Sequence, residues 1–262
     1  MKHIAMWSGP RNLSTALMYA FAARGDFAVW DEPFYACYLR ATGLRHPMAA
    51  EIMASDPRNP REIATALRAD PPEGMGYTYQ KHMCQHMIEG MPRDWMADVR
   101  HVFLIRHPDR VLASFGAKYA DVTLQDIGFV QQTEIFESVF HGEAASSGNE
   151  GANHPISENG FHQSKNTPLV IDSADIRADP EGMMRALCQE LGLEYRAEML
   201  RWPAGPKPYD GIWAPVWYGA VHRSTGFAAA EGPLPELPPE LRRISDAALP
   251  YYAHLARFRL RP

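Results

Sequence analysis

A turn near the amino terminus, Ser8-Gly9-Pro10-Arg11-Asn12-Leu13-Ser14-Thr15, joins a short apolar run, His3–Trp7, to a helical pattern over Leu13–Ala23. Strand, tight turn and helix N-terminus in that order form a site for an anion. The turn amides converge, the helix dipole favours negative charge, and the hydroxyls of Ser14 and Thr15 add donors. Arg11 contributes a full positive charge on a planar fork that matches phosphate or sulfate oxygens. The Walker A pattern is absent, and no lysine precedes Ser14. Taken alone, the turn is also compatible with Ser14 and Thr15 acting only as helix caps.

A second cation stands at Arg106, at the end of the apolar run in Phe103-Leu104-Ile105-Arg106-His107-Pro108. The carboxyl end of such a strand opens into the crevice where α/β sheets bind ligands. Ser114 lies eight residues further on, about two turns into the following helix. Among the carboxylates, Glu32 in Trp30-Asp31-Glu32-Pro33 ends another short run and projects over the same edge as Arg11. Strand alternation aims Asp31 to the opposite face and makes it the weaker candidate. Lys81 and His82 end a third run, Tyr79-Gln80-Lys81-His82-Met83. An imidazole there has a proton affinity suited to a base near neutral pH. The plainer alternatives are a Glu32 paired with a surface arginine and a Lys81 and His82 that satisfy carbonyls or face solvent.

Positioning these groups requires short strands alternating with helices. The strands are read at His3–Trp7, Phe27–Trp30, Gly76–Gln80, His101–Ile105 and Leu169–Ile171, each brief and apolar enough to be covered on both faces. Helices are expected over Leu13–Ala23, Pro60–Arg68, Asp109–Tyr119, Leu124–His141, Pro180–Leu191 and Pro239–Phe258. The fold class is therefore α/β with a mostly parallel central sheet flanked by helices. The 262 residues fit a single domain over 1–262, with an exposed polar loop at 144–167 and an aromatic cover segment at 202–227.

Composition narrows the function classes. Hydrophobic residues at 46% and charged residues at 22% describe a chain with a substantial buried core, and the net charge of −5 disfavours nucleic acid as a partner. Three scattered cysteines, Cys37, Cys84 and Cys188, match neither a disulfide framework nor a zinc site and suit a reducing compartment. No apolar run is long enough to span a membrane, and the polar residues around Leu13–Ala23 argue against a signal peptide. The expected location is cytoplasmic.

The ordered motifs resemble sulfotransferases that use 3′-phosphoadenosine-5′-phosphosulfate (PAPS). Arg106-x-Pro108 followed by a helix with Ser114 is similar to that family's 3′-phosphate motif, and Pro10-Arg11-Asn12-Leu13-Ser14-Thr15 to its 5′-phosphosulfate loop. Leu169 to Ile176, then Asp179-Pro180-Glu181 and Leu191-Gly192-Leu193, match a third stretch. Leu13 departs from the pattern, standing where the family usually has glycine. The Trp7–Tyr19 segment, with Asp31-Glu32-Pro33 and Lys81-His82-Met83, is similar to a branch of sulfotransferase-like proteins. Some members carry a branched-chain-aminotransferase-like label through fusion in plants. Nothing in the chain marks a pyridoxal-phosphate enzyme of that class.

The resemblance implies a three-layer P-loop-type fold, PAPS as sulfuryl donor, no required metal, and a small-molecule acceptor bearing a hydroxyl or amine. Arg11, Asn12, Leu13, Ser14, Thr15, Arg106 and Ser114 would bind the donor. Glu32 would serve as base, Lys81 would steady a sulfuryl oxygen, and His82 would be the alternative base. The family's Lys-x-His spacing is not kept here. The family's late basic loop corresponds to Arg223 and Ser224 as further donors, with Trp213 or Trp217 for stacking. Two other readings stay open: a P-loop nucleotide kinase or hydrolase, and a nucleotide-binding protein of the same fold without turnover.

Overall fold

The computed structural model describes residues 2–116, 122–146 and 167–261. Most of the loop expected at 144–167, and the last residues of the helix expected at 109–119, lie outside that set.

Five strands form one all-parallel sheet in the order β2-β3-β1-β4-β5. They are β1 (His3–Ser8), β2 (Phe27–Asp31), β3 (Tyr77–Met83), β4 (Arg100–Ile105) and β5 (Leu169–Asp172). Every residue of β1, β4 and β5 is buried, as a strand covered on both faces requires. Between and after them run α1 (Ser14–Ala23), α2 (Tyr35–Thr42), α3 (Ala49–Ser55), α4 (Pro60–Ala66), α5 (Pro108–Phe115), α6 (Phe129–Ser146), α7 (Ser173–Ala178) and α8 (Pro180–Leu191). The tail adds two one-turn helices, α9 (Ala214–Trp217) and α10 (Gly219–His222), and the long α11 (Pro239–Ala256).

Strand alternation sorts the core into two layers. Ile4, Met6, Tyr79 and Leu104 face Leu17 and Phe21 of α1 and Met183 and Leu187 of α8. Ala5, Trp7, Phe103 and Ile105 face the other way, against Ile63 of α4, Ile135 of α6 and Leu255 of α11. The stretch read as helix from Leu124 begins instead at Phe129. The Asp126 carboxylate accepts from the Thr123 amide and hydroxyl (2.8 and 2.7 Å), and Gly128 takes a left-handed φ of 72° before the helix starts.

The strand order places the ligand crevice. From β1 the chain runs through α1 to the β2 edge, whereas from neighbouring β4 it runs through α5 and α6 to the β5 edge. The loops leaving β1 and β4 therefore diverge and open a cleft at their carboxyl ends. Arg11 stands in the first of these loops and Arg106 in the second. Gln132 of α6 braces the mouth, its amide donating to the carbonyls of Trp7 (3.1 Å) and Leu104 (2.9 Å).

Candidate functional site

A cavity of about 530 Å³ lies over this cleft. Its wall includes Arg11, Asn12, Leu13, Ser14, Thr15, Glu32, Lys81, Arg106, Ser114 and Ser224. Residues separated by more than two hundred positions in the chain, such as Arg11 and Ser224, thus meet around one space.

The turn after β1 is held by its backbone. Gly9 leaves no room for a side chain, since a Cβ there would stand 2.5 Å from the Ile127 carbonyl oxygen. Arg11 and Leu13 both adopt left-handed conformations, φ 63° and 73°. Leu13 therefore follows the backbone path that glycine would take, at a conformational cost of about 1–3 kcal/mol. Its side chain packs against the core under α1. Asn12 ties the turn to β4 through its amide and the Leu104 carbonyl (3.2 Å). Leu13 occupies the N-cap of α1 and makes no side-chain capping bond, so Ser14 and Thr15 lie within the first turn and do not cap it. Both residues line the cavity, beside first-turn amides that have no partner within the helix.

The two arginines belong to the same site. Arg106 donates through Nη1 to the Arg11 carbonyl (2.5 Å), and Arg11 Nε donates to Ser114 Oγ (2.8 Å). The Arg11 guanidinium pKa is lowered, first by burial and then by the positive charge of Arg106. Arg106 Nε is buried and has no hydrogen-bond partner within the protein. Donors in excess of acceptors, two adjacent guanidiniums and the serine and threonine hydroxyls fit a polyanionic ligand.

Opposite the turn, Lys81 is almost fully buried at the end of β3. Its ammonium donates to Asp31 Oδ1 (2.9 Å), Glu32 Oε1 (2.5 Å) and the Tyr218 hydroxyl (2.8 Å), engaging all three of its protons. Asp31 is not turned away, contrary to the expectation from alternation. It pairs in register with Lys81 on adjacent strands, which puts both side chains on one face. Glu32 escapes the alternation because its φ of 46° breaks the strand and turns its carboxylate back to the same ammonium. Burial alone would lower the Lys81 pKa, but the two carboxylates outweigh it and hold the ammonium above its ordinary value. Burial raises the Asp31 carboxyl, with Lys81 opposing and Glu32 reinforcing the shift. Two carboxylates sharing one ammonium leave a net negative charge at the wall.

His82 does not line the cavity. The pleat sends it to the other face of the sheet, where its ring stacks on Trp7 at 4.5 Å and packs near Phe34 and Trp95. Burial, with smaller contributions from His101, His86 and Lys81, holds its pKa well below that of an ordinary imidazole. Burial likewise lowers His101 to about 4; there Trp7 Nε1 donates to Nδ1 (2.9 Å), and Nε2 in turn donates to the Met96 carbonyl. On unfolding these imidazoles regain their usual proton affinity, so the unfolded state binds more protons below pH 6.5. Stability is expected to fall as pH drops from 6.5 toward the folded values, by roughly 1.4 kcal/mol per histidine per pH unit. Urea denaturation between pH 7.5 and 5.5 measures it. His82→Phe, which keeps an aromatic ring on Trp7, should make the slope shallower; an unchanged slope would mean that His82 is protonated in the folded chain.

The late segment contributes differently from its expected donors. Arg223 is exposed and does not line the cavity. Ser224 does, but its hydroxyl donates to the Val221 carbonyl (2.7 Å) and accepts from Trp202 Nε1 (3.1 Å), so it serves the tail's own fold. Trp217 lines the cavity, whereas Trp213 is buried and donates to the Tyr218 hydroxyl (3.1 Å). Tyr218, which the sequence did not single out, is the tail's main contribution, reaching Lys81 and both carboxylates. The tail is anchored through Asp210, which accepts from Tyr19 and pairs with His222. Arg177 of α7 is another cavity residue not identified from sequence. Toward the outer mouth, His86 lies between the rings of Tyr35 (4.6 Å) and Tyr38 (4.8 Å), and burial holds it neutral. No group of metal-binding side chains occurs among the described residues, and no helix among them is long and apolar enough to cross a membrane.

A parallel sheet with an arginine-bearing turn after β1 and a second arginine after β4 defines an α/β domain with a cationic cleft at the carboxyl edge of its sheet. The chain belongs to the sulfotransferase-domain family, which it matches over residues 1–144 and 159–258. It is 34% identical over 252 residues to branched-chain-amino-acid aminotransferase-like protein 1 of Arabidopsis thaliana, covering 95% of this chain and 40% of that protein. It is 33% identical over 231 residues to protein 2 of the same name, covering 88% and 37%. The chain thus spans about two fifths of these relatives' length. Among solved structures, it is similar to the sulfotransferase domain of the Synechococcus PCC 7002 olefin synthase and to that of the curacin biosynthetic pathway. Each has a TM-score of 0.47 and 15% identity; coverage is 94% of this chain in both cases, and 94% and 96% of the respective domains.

Proposed function

We propose that this chain transfers a sulfuryl group from PAPS to a hydroxyl or amine of a small molecule. The observation that carries the reading is the single cavity into which Arg11, Arg106 and Glu32 all open. In this reading the 5′-phosphosulfate rests on the turn amides, Arg11, Ser14 and Thr15, and the 3′-phosphate is bound by Arg106 and Ser114. The acceptor oxygen or nitrogen forms its bond to sulfur as the sulfur–oxygen bond to the 5′-phosphate breaks. The acceptor proton passes to Glu32, and bisphosphoadenosine leaves with the negative charge stabilised by the guanidiniums. Lys81 holds Glu32 in place and balances its charge, because its three protons are already engaged. His82, on the far face, is left out of the transfer.

Calorimetric titration with PAPS, adenosine 3′,5′-bisphosphate and ATP with Mg²⁺ tests the donor. Tight binding of the first two supports it; preference for ATP with Mg²⁺ overturns it in favour of kinase-type chemistry. Arg106→Ala is expected to weaken bisphosphate binding by about 1.5–3 kcal/mol, the range for a hydrogen bond to a charged group. Unchanged affinity in that variant would remove Arg106 from the donor site.

A further inference from the structure

Glu231 is the most enclosed carboxylate of the tail beyond α10, and three arginines surround it. Arg106 and Arg177 both reach Oε1, the latter at 2.6 Å, and Arg110 Nε lies 2.9 Å from Oε2. The glutamate side chain is 4% exposed and the arginines 16–21%. Three guanidiniums against one carboxylate leave two uncompensated positive charges in a poorly hydrated corner of the cleft, more than a monoanion satisfies. The backbone around Glu231 has little else to hold it. Ala228, Ala229, Ala230, Gly232, Pro233 and Leu234 are exposed, and the same arginines grip the carbonyls of Ala229 and Gly232. One side chain therefore pins an extended strap beside the cavity, whose wall Ala228 joins, at the arginine that would receive a donor phosphate.

We infer that Glu231 is an internal ligand of an anion site built by Arg106, Arg110 and Arg177, and that the 3′-phosphate of a nucleotide displaces it. This rests on the donor reading above and extends it to Arg110, Arg177 and the strap. A phosphate dianion carries the second charge and the third acceptor oxygen that a carboxylate lacks, so it matches three guanidiniums better. Binding then releases residues 227–234 from the cleft, and the observed affinity is the difference between the two anions.

Two measurements test the exchange. Calorimetry on Glu231→Gln should show adenosine 3′,5′-bisphosphate bound about tenfold tighter than by the natural chain, with adenosine 5′-monophosphate unchanged. Arg177→Ala should weaken the bisphosphate and leave the monophosphate unaffected. Hydrogen exchange on the natural chain should show faster exchange over 227–234 with bisphosphate and no change with 5′-monophosphate. Equal or weaker bisphosphate binding by Glu231→Gln, or a strap whose exchange ignores the bisphosphate that binds, overturns the inference. If no bisphosphate binds, inorganic phosphate separates the two ideas. Faster strap exchange with phosphate keeps the anion site and rejects the donor; an unchanged strap rejects both.

Discussion

Glu32→Gln is expected to lower turnover about 10²–10⁴-fold while leaving donor affinity within about twofold, the range for loss of a positioned proton acceptor. The amide keeps the shape of the side chain and an oxygen to accept from Lys81, so the architecture of the wall survives. What it loses is the capacity to take a proton. Glu32 suits that role by position: it directly follows β2, lines the cavity and is steadied by Lys81 and Tyr218. Release of bisphosphoadenosine from PAPS, followed across a panel of phenols, alcohols and amines, provides the measurement. Turnover above a tenth of the natural rate would move the base to another cavity residue, of which His46 and His86 carry imidazoles on the same wall. His82→Phe offers the complementary comparison, since a residue on the opposite face should leave turnover nearly intact.

Lys81→Met is expected to cost about 3–5 kcal/mol of folding stability, the penalty for breaking a buried ion pair by removing one partner. That is a large share of the 5–15 kcal/mol typical of a folded domain. The reason lies in what remains. Asp31 and Glu32 would face each other without a cation, with Asp31 held below a tenth of full exposure. One of them must then take up a proton or drag water inward. Urea denaturation at neutral pH measures the loss. The double variant Lys81→Met/Asp31→Asn should recover much of it, because it removes a charge from each side of the pair. A loss below 1 kcal/mol in the single variant would mean that solvent already reaches the cluster.

Much of the scaffold was readable because its signals are local. Short apolar runs located all five strands, and the Asp179-Pro180 start and Gly192 end bounded α8, whose cap glycine has a left-handed φ of 68°. Arg11 and Arg106 could be placed because each lies within three residues of a strand's end. The short helices were harder. In α2, Tyr35 to Leu39 are all buried, so no amphipathic period marks the helix, and α7 is too brief to show one.

Residue types and spacing already dictated the strands, the tight turn after β1 and the two cations beside it, since each depends on neighbours a few positions away. The face on which His82 lies, the turning of Asp31 toward Lys81, the arrival of Tyr218 and the capture of Glu231 depend on something else. They require strand register, a left-handed φ at Glu32, and contacts such as Asp31–Tyr218 across 187 positions of chain. Long-range contacts of this kind leave no periodic trace in sequence, because the energy that selects them is realised only when the sheet has closed and water has left the cleft.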